Sequence, residues 1–334
     1  NQTTPDPLFL NNILNEMVKL GVEYCFMEVS SHAISQNRIY GLKYAAAAFT
    51  NLSHDHLDYH KTFKAYRDVK KKFFDSLSKS TFSITNADDK NGSYMIQNTK
   101  SKPFSYSLNS NSDFSLKILE KDFNGMKILI NKTELWTKLT GKFNAYNLVA
   151  VYAVCDILGL DQNKSIELLS KIKPVEGRFQ VIAKNGITGI VDFAHTPDAI
   201  EKVLVSVKDY VKGDGIIITV VGCGGGRDKE KRNKMGYVSS ELSDLTIFTS
   251  DNPRNEDPNQ IIEDMKMGVD NKKIKKVKTI IDRKDAIKYA VSTSKVNDIL
   301  LVLGKGHEKY QIVGDKKIEF SDSEVLNNYL KIAI

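Results

Sequence analysis

Three cysteines in 334 residues, Cys25, Cys155 and Cys223, form no C-x-x-C pair and no even-numbered framework. They exclude a disulfide-stapled fold and favour a reducing compartment, so the chain is expected to be cytoplasmic. No apolar run approaches the roughly 18–20 residues that a membrane span needs, and no basic-then-apolar start reads as a secretory signal. Proline and glycine are sparse, at 7 and 20, which removes collagen-like and low-complexity classes. No G-x-x-x-x-G-K-[ST] occurs, because Gly141-Lys142 is followed by Phe143. A P-loop phosphate cradle is therefore not encoded in these residues. No internal repeat is evident.

What is present is the composition of an ordinary globular protein, 41% hydrophobic and 27% charged. The length exceeds one core of average size, so two domains are expected. The net charge of +7 suits nucleic acid or small polyanions alike. Much of it lies in runs such as Lys272-Lys273-Ile274-Lys275-Lys276-Val277-Lys278. No aromatic residues interleave that run, so it reads as a solvated face, and no nucleic-acid partner is expected. The chain opens at Asn1-Gln2-Thr3-Thr4-Pro5-Asp6-Pro7 without Met, which reads as a loop inside a longer protein.

Apolar periodicity predicts alternating helices and strands. A helix is expected over 8–20, strands over 24–29 and 45–50, a helix over 63–77 and a strand over 81–85. Between Pro103 and Trp136 the texture changes to short alternating runs at 104–108, 114–118 and 126–130. With Asn124-Gly125 as a turn signal, they predict a small antiparallel sheet. A helix follows from Ala145 to Leu158, stopped by Gly159. After Lys173-Pro174 the alternation resumes, with strands at 189–193, 216–221, 245–249, 277–281 and 299–303. Helices are expected between them at 197–211, 231–242, 260–268 and 284–293. A hairpin over 310–320 and a closing helix over 324–332 complete the pattern. The fold class is α/β, with a boundary near 173–178.

The polar clusters fall just after predicted strands. They are Glu28-Val29-Ser30-Ser31-His32, Asn51-Leu52-Ser53-His54-Asp55-His56, Asn86-Ala87-Asp88-Asp89, Asp192-Phe193-Ala194-His195, Gly224-Gly225-Gly226-Arg227-Asp228, Asp251-Asn252-Pro253-Arg254 and Gly304-Lys305-Gly306-His307-Glu308. In open α/β sheets ligands bind outside the carboxyl ends of strands, so two such rims predict a cleft between two domains. Glu28 with the His54-Asp55-His56 cluster suits Mg²⁺ or Mn²⁺ beside phosphate. Zinc on His54, His56 and His60 lacks both a cysteine and the H-E-x-x-H spacing. Gly222-Cys223-Gly224-Gly225-Gly226-Arg227 permits close approach of an anion ahead of a helix, though a Gly-rich turn is often only a turn. Asp251-Asn252-Pro253-Arg254 is able to grip an amino acid, with Arg254 on a carboxylate and Asp251 on an ammonium, or to be a simple Asx-Pro turn.

Several of these segments together resemble the Mur ligases across nearly the whole chain. They are Met27-Glu28-Val29-Ser30-Ser31-His32, Phe49-Thr50-Asn51-Leu52 with Asp55-His56-Leu57-Asp58-Tyr59-His60, Asn86-Ala87-Asp88-Asp89, Gly177-Arg178-Phe179 and Asp192-Phe193-Ala194-His195-Thr196-Pro197. More narrowly, Thr3-Thr4-Pro5-Asp6, Asp251-Asn252-Pro253-Arg254 and Gly304-Lys305-Gly306-His307-Glu308 resemble the MurE branch, which joins a diamino acid to UDP-N-acetylmuramoyl-L-alanyl-D-glutamate. The resemblance implies that residues 1–173 are the central ATP-binding domain without its P-loop, a parallel-sheet unit with a small antiparallel sheet. Residues 174–334 would be the Rossmann-like C-terminal domain. These residues alone are expected to be inactive.

The resemblance also implies the chemistry. ATP phosphorylates the D-Glu side-chain carboxylate, and the incoming amine displaces phosphate from the acyl phosphate. Glu28 and His56 match Mg²⁺ ligands, and Lys70 matches a lysine that the family carbamylates into a further ligand. Asn144, Arg178 and Asp192 match nucleotide positions, with Arg178 near the γ-phosphate. Catalytic roles therefore fall on Lys70, His56 and Arg178. Thr3, Thr4, Ser30 and Arg38 match contacts to the muramyl-dipeptide. Arg227, Asp251, Asn252, Arg254, Gly304 and Glu308 match the amino-acid pocket, where Arg254 is the feature associated with meso-diaminopimelate. Gly226 stands where the family often has Asp, and His54 where it often has Arg or Gln. Lanthionine would satisfy the same groups as diaminopimelate. A folylpolyglutamate synthetase-like ligase and a non-catalytic nucleotide-sugar-peptide binding module are the alternatives. A monomer without membrane association is expected.

Overall fold

The computed structural model describes residues 3–53 and 55–332. Asn1, Gln2 and His54, which carried parts of the motifs above, lie outside the described residues.

In the first half, Asp6 accepts the backbone N–H groups of Leu8 and Phe9 and starts helix α1 (Pro7–Lys19), with Pro7 at its first position. Then come α2 (Ser31–Ser35), β1 (Ala46–Phe49), α3 (Leu57–His60), α4 (Phe63–Asp75), β2 (Phe82–Asn86) and α5 (Gly92–Ile96). Next are β3 (Lys102–Ser107), β4 (Phe114–Asp122), β5 (Gly125–Ile130), β6 (Thr133–Thr137), α6 (Lys142–Ile157) and α7 (Gln162–Lys171). The six strands form one sheet in chain order, parallel from β1 to β4 and antiparallel from β4 to β6. Helix α6 lays Ala145, Leu148, Val149, Tyr152 and Ala153 on it and ends before Gly159, whose φ is +77°.

Two expectations need correction. The apolar run 24–29 forms no strand: it joins no ladder among the described residues, and Tyr24 and Phe26 stay exposed. Such a run has strand composition, but a strand exists only through a hydrogen-bonded neighbour. The 104–108 segment, expected in the antiparallel group, pairs parallel with β2, so the meander is β4–β6 and continues the parallel sheet. Strand β6 and helix α7 were not foreseen. The only tryptophan, Trp136, lies on β6 and half-exposed, so it gave no buried-strand signal.

The second half follows the predicted order with one addition. It runs β7 (Gln180–Lys184), β8 (Ile187–Asp192), α8 (Pro197–Lys208), β9 (Ile217–Val221), α9 (Glu230–Leu242), β10 (Leu245–Phe248), α10 (Pro258–Lys266), β11 (Val277–Thr279), α11 (Arg283–Thr293) and β12 (Ile299–Leu303). The hairpin β13 (Tyr310–Val313) and β14 (Lys316–Glu319) and helix α12 (Asp322–Ile332) close the chain. The sheet order is β11-β10-β9-β12-β8-β7, parallel except for β7, the strand not foreseen. β9 and β12 are buried along their whole length, as strands covered on both faces must be. β12 enters between β8 and β9, so the strand order reverses there and the loops at their carboxyl ends splay open.

The halves touch. Tyr210 shares a 2.9 Å hydrogen bond with Thr140 and stacks on Phe123 at 4.6 Å, and Phe143 packs against Phe179 at 5.4 Å. Gly177 lies against Gly306 and His307 so closely that a Cβ would stand 2.0 Å from the His307 nitrogen. The polar loops of both halves thus open onto common ground.

Candidate active site

Tyr66, buried on α4, is the centre of the first cluster. The Lys70 ammonium lies 5.5 Å from its ring centre, and the His56 and His60 rings lie 5.8 and 5.2 Å away. Burial raises the Tyr66 hydroxyl's pKa, and the carboxylates of Asp55 and Glu28 raise it further. Glu28, His56 and Lys70 are therefore gathered around one ring, although 42 residues separate the first from the last. His56 takes φ +57° at the start of α3, a left-handed turn that brings its ring to within 5.0 Å of His32. Burial lowers the pKa of Lys70, opposed by Glu28. Lys71, its neighbour, points elsewhere and binds Asp75 and the Gln97 carbonyl. The helix therefore distinguishes lysines that adjoin in the sequence.

His60 shares a 2.9 Å bond with the Ser31 hydroxyl and stacks on Tyr66, so it braces the cluster. Among the described residues no three His, Cys, Asp or Glu side chains gather as a metal cage.

Next to this cluster, buried Thr4 ties three expected residues together. Its hydroxyl donates to the Glu28 carbonyl at 2.8 Å and accepts from the Ser30 N–H at 3.2 Å. Its own carbonyl accepts from Arg38 Nη1 at 3.0 Å. Ser30 caps α2 through the Ala33 N–H. Thr3 is exposed.

On the other rim, Asp192 ends β8 and accepts the N–H groups of Phe179 and Ala194, each at 2.7 Å. Burial raises its pKa, and those two bonds with Arg178 counter the rise. Arg178 is exposed and lies over the Phe193 ring at 4.5 Å. Asn144, at the start of α6, adjoins Phe143 and through it Phe179. Asp192 and Arg178 thus share one loop cluster, while Asn144 donates to the Thr140 carbonyl at 2.8 Å and adjoins that cluster only through its neighbour Phe143.

The amino-acid pocket is the most tightly built part. Asn252 donates to Glu308 at 2.8 Å and accepts from Lys305 Nζ and the Ile312 N–H, both at 2.9 Å. Lys305, fully buried, also binds Glu308 at 2.9 Å. The β13–β14 hairpin grips the strand-end loop through Arg254 N–H to the Ile312 carbonyl (3.1 Å) and Gly314 N–H to the Arg254 carbonyl (2.8 Å). This grip holds Arg254 at φ +52°, with Nη1 on the Gly225 carbonyl at 2.6 Å. Gly304 has φ +115°, and a Cβ there would stand 2.7 Å from Asp251 Oδ2. Burial raises the Asp251 pKa, opposed by Arg283 and Lys305. Arg227 is exposed on the facing Gly-rich loop. The hairpin was expected from the sequence and Lys305 lay in a quoted motif, but neither was assigned a part in this pocket. The Gly-Lys-Gly spacing was the available signal for Lys305, since an invading lysine between two tight turns has little room to reach solvent.

Asn86-Ala87-Asp88-Asp89, grouped above with the chemically capable clusters, is a staple. Asp89 holds the Leu52 N–H at 3.1 Å. Burial pushes the Asp88 carboxyl up, but bonds from Ser110, Leu108, Tyr146 and Asn109 bring it down to about 2. A depressed carboxylate stabilises the fold above its unfolded pKa and loses that contribution as pH falls through the folded one. Thermal melts should therefore lose stability between about pH 4 and pH 2, and Asp88→Asn should flatten that limb while lowering the melting temperature at neutral pH.

Two family models match the chain. One, described as the Mur ligase middle domain, covers residues 1–155, and the other, the Mur ligase glutamate ligase domain, covers 177–306. The chain belongs to the Mur ligase family. Among its relatives is the UDP-N-acetylmuramoyl-L-alanyl-D-glutamate–2,6-diaminopimelate ligase of Bacteroides thetaiotaomicron. That protein is 50% identical over 325 residues, which cover 97% of this chain and 67% of the relative. A solved structure of a ligase with that same name is 34% identical, with a TM-score of 0.63, covering 99% of this Mur ligase and 69% of that chain. The folylpolyglutamate synthase of Thermotoga maritima shares the fold, at 18% identity and a TM-score of 0.57, covering 89% of this chain and 71% of that one.

Proposed function

We propose that this Mur ligase forms an amide bond driven by ATP, adding meso-diaminopimelate to UDP-N-acetylmuramoyl-L-alanyl-D-glutamate in peptidoglycan synthesis, in the cytoplasm and as a monomer. The observation that carries this reading is the pocket of Arg254, Asp251, Asn252 and Glu308. It offers a guanidinium for one carboxylate and acceptors for an ammonium, locked in place before any ligand arrives. The diaminopimelate ligases at 50% identity support the same substrate. In this reading residues 1–173 form the central domain and 174–334 the C-terminal one.

Asn144, Arg178 and Asp192 would hold ATP, which supplies the transferable phosphoryl group. Glu28 and His56 suit Mg²⁺: two protein donors would leave room for phosphate oxygens and water, the habit of that ion. A carbamate on Lys70 would add a third donor. Thr3, Thr4, Ser30 and Arg38 would seat the muramyl-dipeptide, and Arg227 and Gly304 would line the amino-acid pocket. The D-Glu carboxylate oxygen forms a bond to the γ-phosphorus as the bond to ADP breaks. The amine then forms the N–C bond, the C–O bond to phosphate breaks, and the amine's proton leaves on phosphate.

The test is phosphate release by the full-length protein in which these residues occur, given ATP, Mg²⁺ and the UDP-dipeptide. Meso-diaminopimelate, lanthionine and L-lysine are compared as amines. Turnover is expected with the dicarboxylates and not with lysine, whereas turnover that depends on folate would move the reading to the synthase. Arg254→Ala is expected to lower kcat/KM for diaminopimelate by about 10- to 100-fold, the worth of a charged hydrogen-bonded contact. Unchanged kinetics would remove Arg254 from the pocket.

A further inference from the structure

Three lysines are buried among the described residues: Lys71, Lys231 and Lys305. Lys71 binds Asp75, and Lys305 binds Glu308. Lys231, only 7% exposed, donates no hydrogen bond and joins no ion pair among the described residues. Its Nζ is not among the fully enclosed polar atoms that lack a partner, so a buried stem carries an ammonium that still meets solvent. Lys231 lies in the first turn of α9, whose positive end adds to its charge. The helix cannot swing it away, because the next residue is anchored. Arg232 binds Asp264 at 2.8 Å and both oxygens of Glu256 at 3.0 Å.

The neighbours show where Lys231 stands. Its charge reaches His195, at the end of β8, and buried Cys223, at the end of β9. It therefore sits where the strand order reverses. His195 in turn feels two carboxylates. One is Asp55, from the loop beside Tyr66, and the other is Asp251, from the amino-acid pocket. The ammonium thus occupies ground between the phosphoryl-handling cluster and the seat of the incoming amine. In the ligase reading, on which this inference rests, that ground belongs to the acyl carbon.

We propose that Lys231 is a further catalytic residue, whose ammonium pairs with the acyl oxygen of the acceptor's side-chain carboxyl. It meets this group first as carboxylate, then as acyl phosphate. When the amine adds, the nitrogen lone pair forms the N–C bond and the carbonyl π pair moves onto oxygen beside Lys231. When that pair returns, the C–O bond to phosphate breaks and the amine's proton departs on phosphate. Lys231 keeps its own protons throughout, so its contribution is electrostatic.

The test compares Lys231→Met and Lys231→Arg in the full-length protein. Met should lower kcat by about 100-fold and weaken UDP-dipeptide binding, measured by calorimetry without ATP, by about 10-fold. The KM for diaminopimelate should stay within twofold, and Arg should retain at least a tenth of the turnover. Wild-type kcat and Kd in the Met variant would overturn the proposal, as would a loss confined to the KM for diaminopimelate. Should Met lower the melting temperature, Lys231→Gln against Lys231→Arg repeats the comparison, and equal losses in both would overturn it. If the wild type turns over none of the three amines, the ligase reading fails instead. The calorimetric difference between wild type and Met then still decides whether Lys231 meets the carboxylate.

Discussion

Lys70→Ala is expected to reduce ligase turnover by about a thousandfold, the upper range for removing one preorganised electrostatic group, and added formate should restore part of it. The expectation rests on the position of the amine. Lys70 is partly buried, its ammonium lies over the Tyr66 ring, and its carboxylate neighbour is Glu28. Burial lowers its pKa, which raises the fraction of neutral amine. Only the neutral amine can attack CO₂, forming an N–C bond and releasing a proton to solvent. The product is a carboxylate at the tip of a long arm, next to Glu28 and His56. Alanine removes the arm, and formate brings back a carboxylate small enough to enter the space. Lys71→Ala is the contrasting variant: its amine is committed to Asp75 and the Gln97 carbonyl, so any loss there should track the melting temperature and ignore formate. If Lys70→Ala kept near-normal turnover, the carbamate would have to be abandoned. If the loss were complete but indifferent to formate, Lys70 would act as a cation on phosphate instead.

Much of the fold was legible because its signals are local. Asp6-Pro7 and Thr196-Pro197 announce helix starts through a capping oxygen and a preset φ, and both helices begin there. The wholly apolar run 299–303 and the run 217–221, polar only at Thr219, have no solvent-seeking face, so both had to be central strands. The failures are of a different kind. The run 24–29 has strand composition but no ladder partner among the described residues, and pairing is not written in a segment's own composition. The direction of β3 was misjudged for the same reason, since alternation is common to parallel and antiparallel strands.

The site divides along the same line. Which loops carry polar groups followed from their place after strands. Which of those groups meet did not. Asp88 and Asp89 carry the same charge as Asp251, yet they staple loops. Asp251 is buried beside Lys305 and Arg283 instead. No spacing rule separates the two cases, because the partners come from distant elements, 20 and 58 residues away for Asp88 and on α11 and the loop after β12 for Asp251.

Asp322→Ala should cost the fold about 3–5 kcal/mol, the penalty for stranding one member of a buried ion pair. Arg283 and Asp322 are both wholly inaccessible at their side chains. Two parallel bonds of 2.7 Å join them in the bidentate geometry that makes such pairs strong. Without Asp322 the guanidinium would remain in the core, where its next anionic neighbours are Asp251 and Glu308. A drop in melting temperature of roughly 10 °C is expected at about 2–4 °C per kcal/mol. Arg283→Met with Asp322→Leu should recover most of it, since no charge is then left unpaired. The pair also reaches the pocket. Arg283 Nη2 holds the Leu303 carbonyl at 2.9 Å, one residue before Gly304. The double variant, though stable, should therefore raise the KM for diaminopimelate more than the KM for ATP. Recovery of both stability and that KM would mean the pair serves the core alone. Stability restored with the KM still raised would mean that a salt bridge beneath the sheet's carboxyl edge sets the shape of the pocket above it.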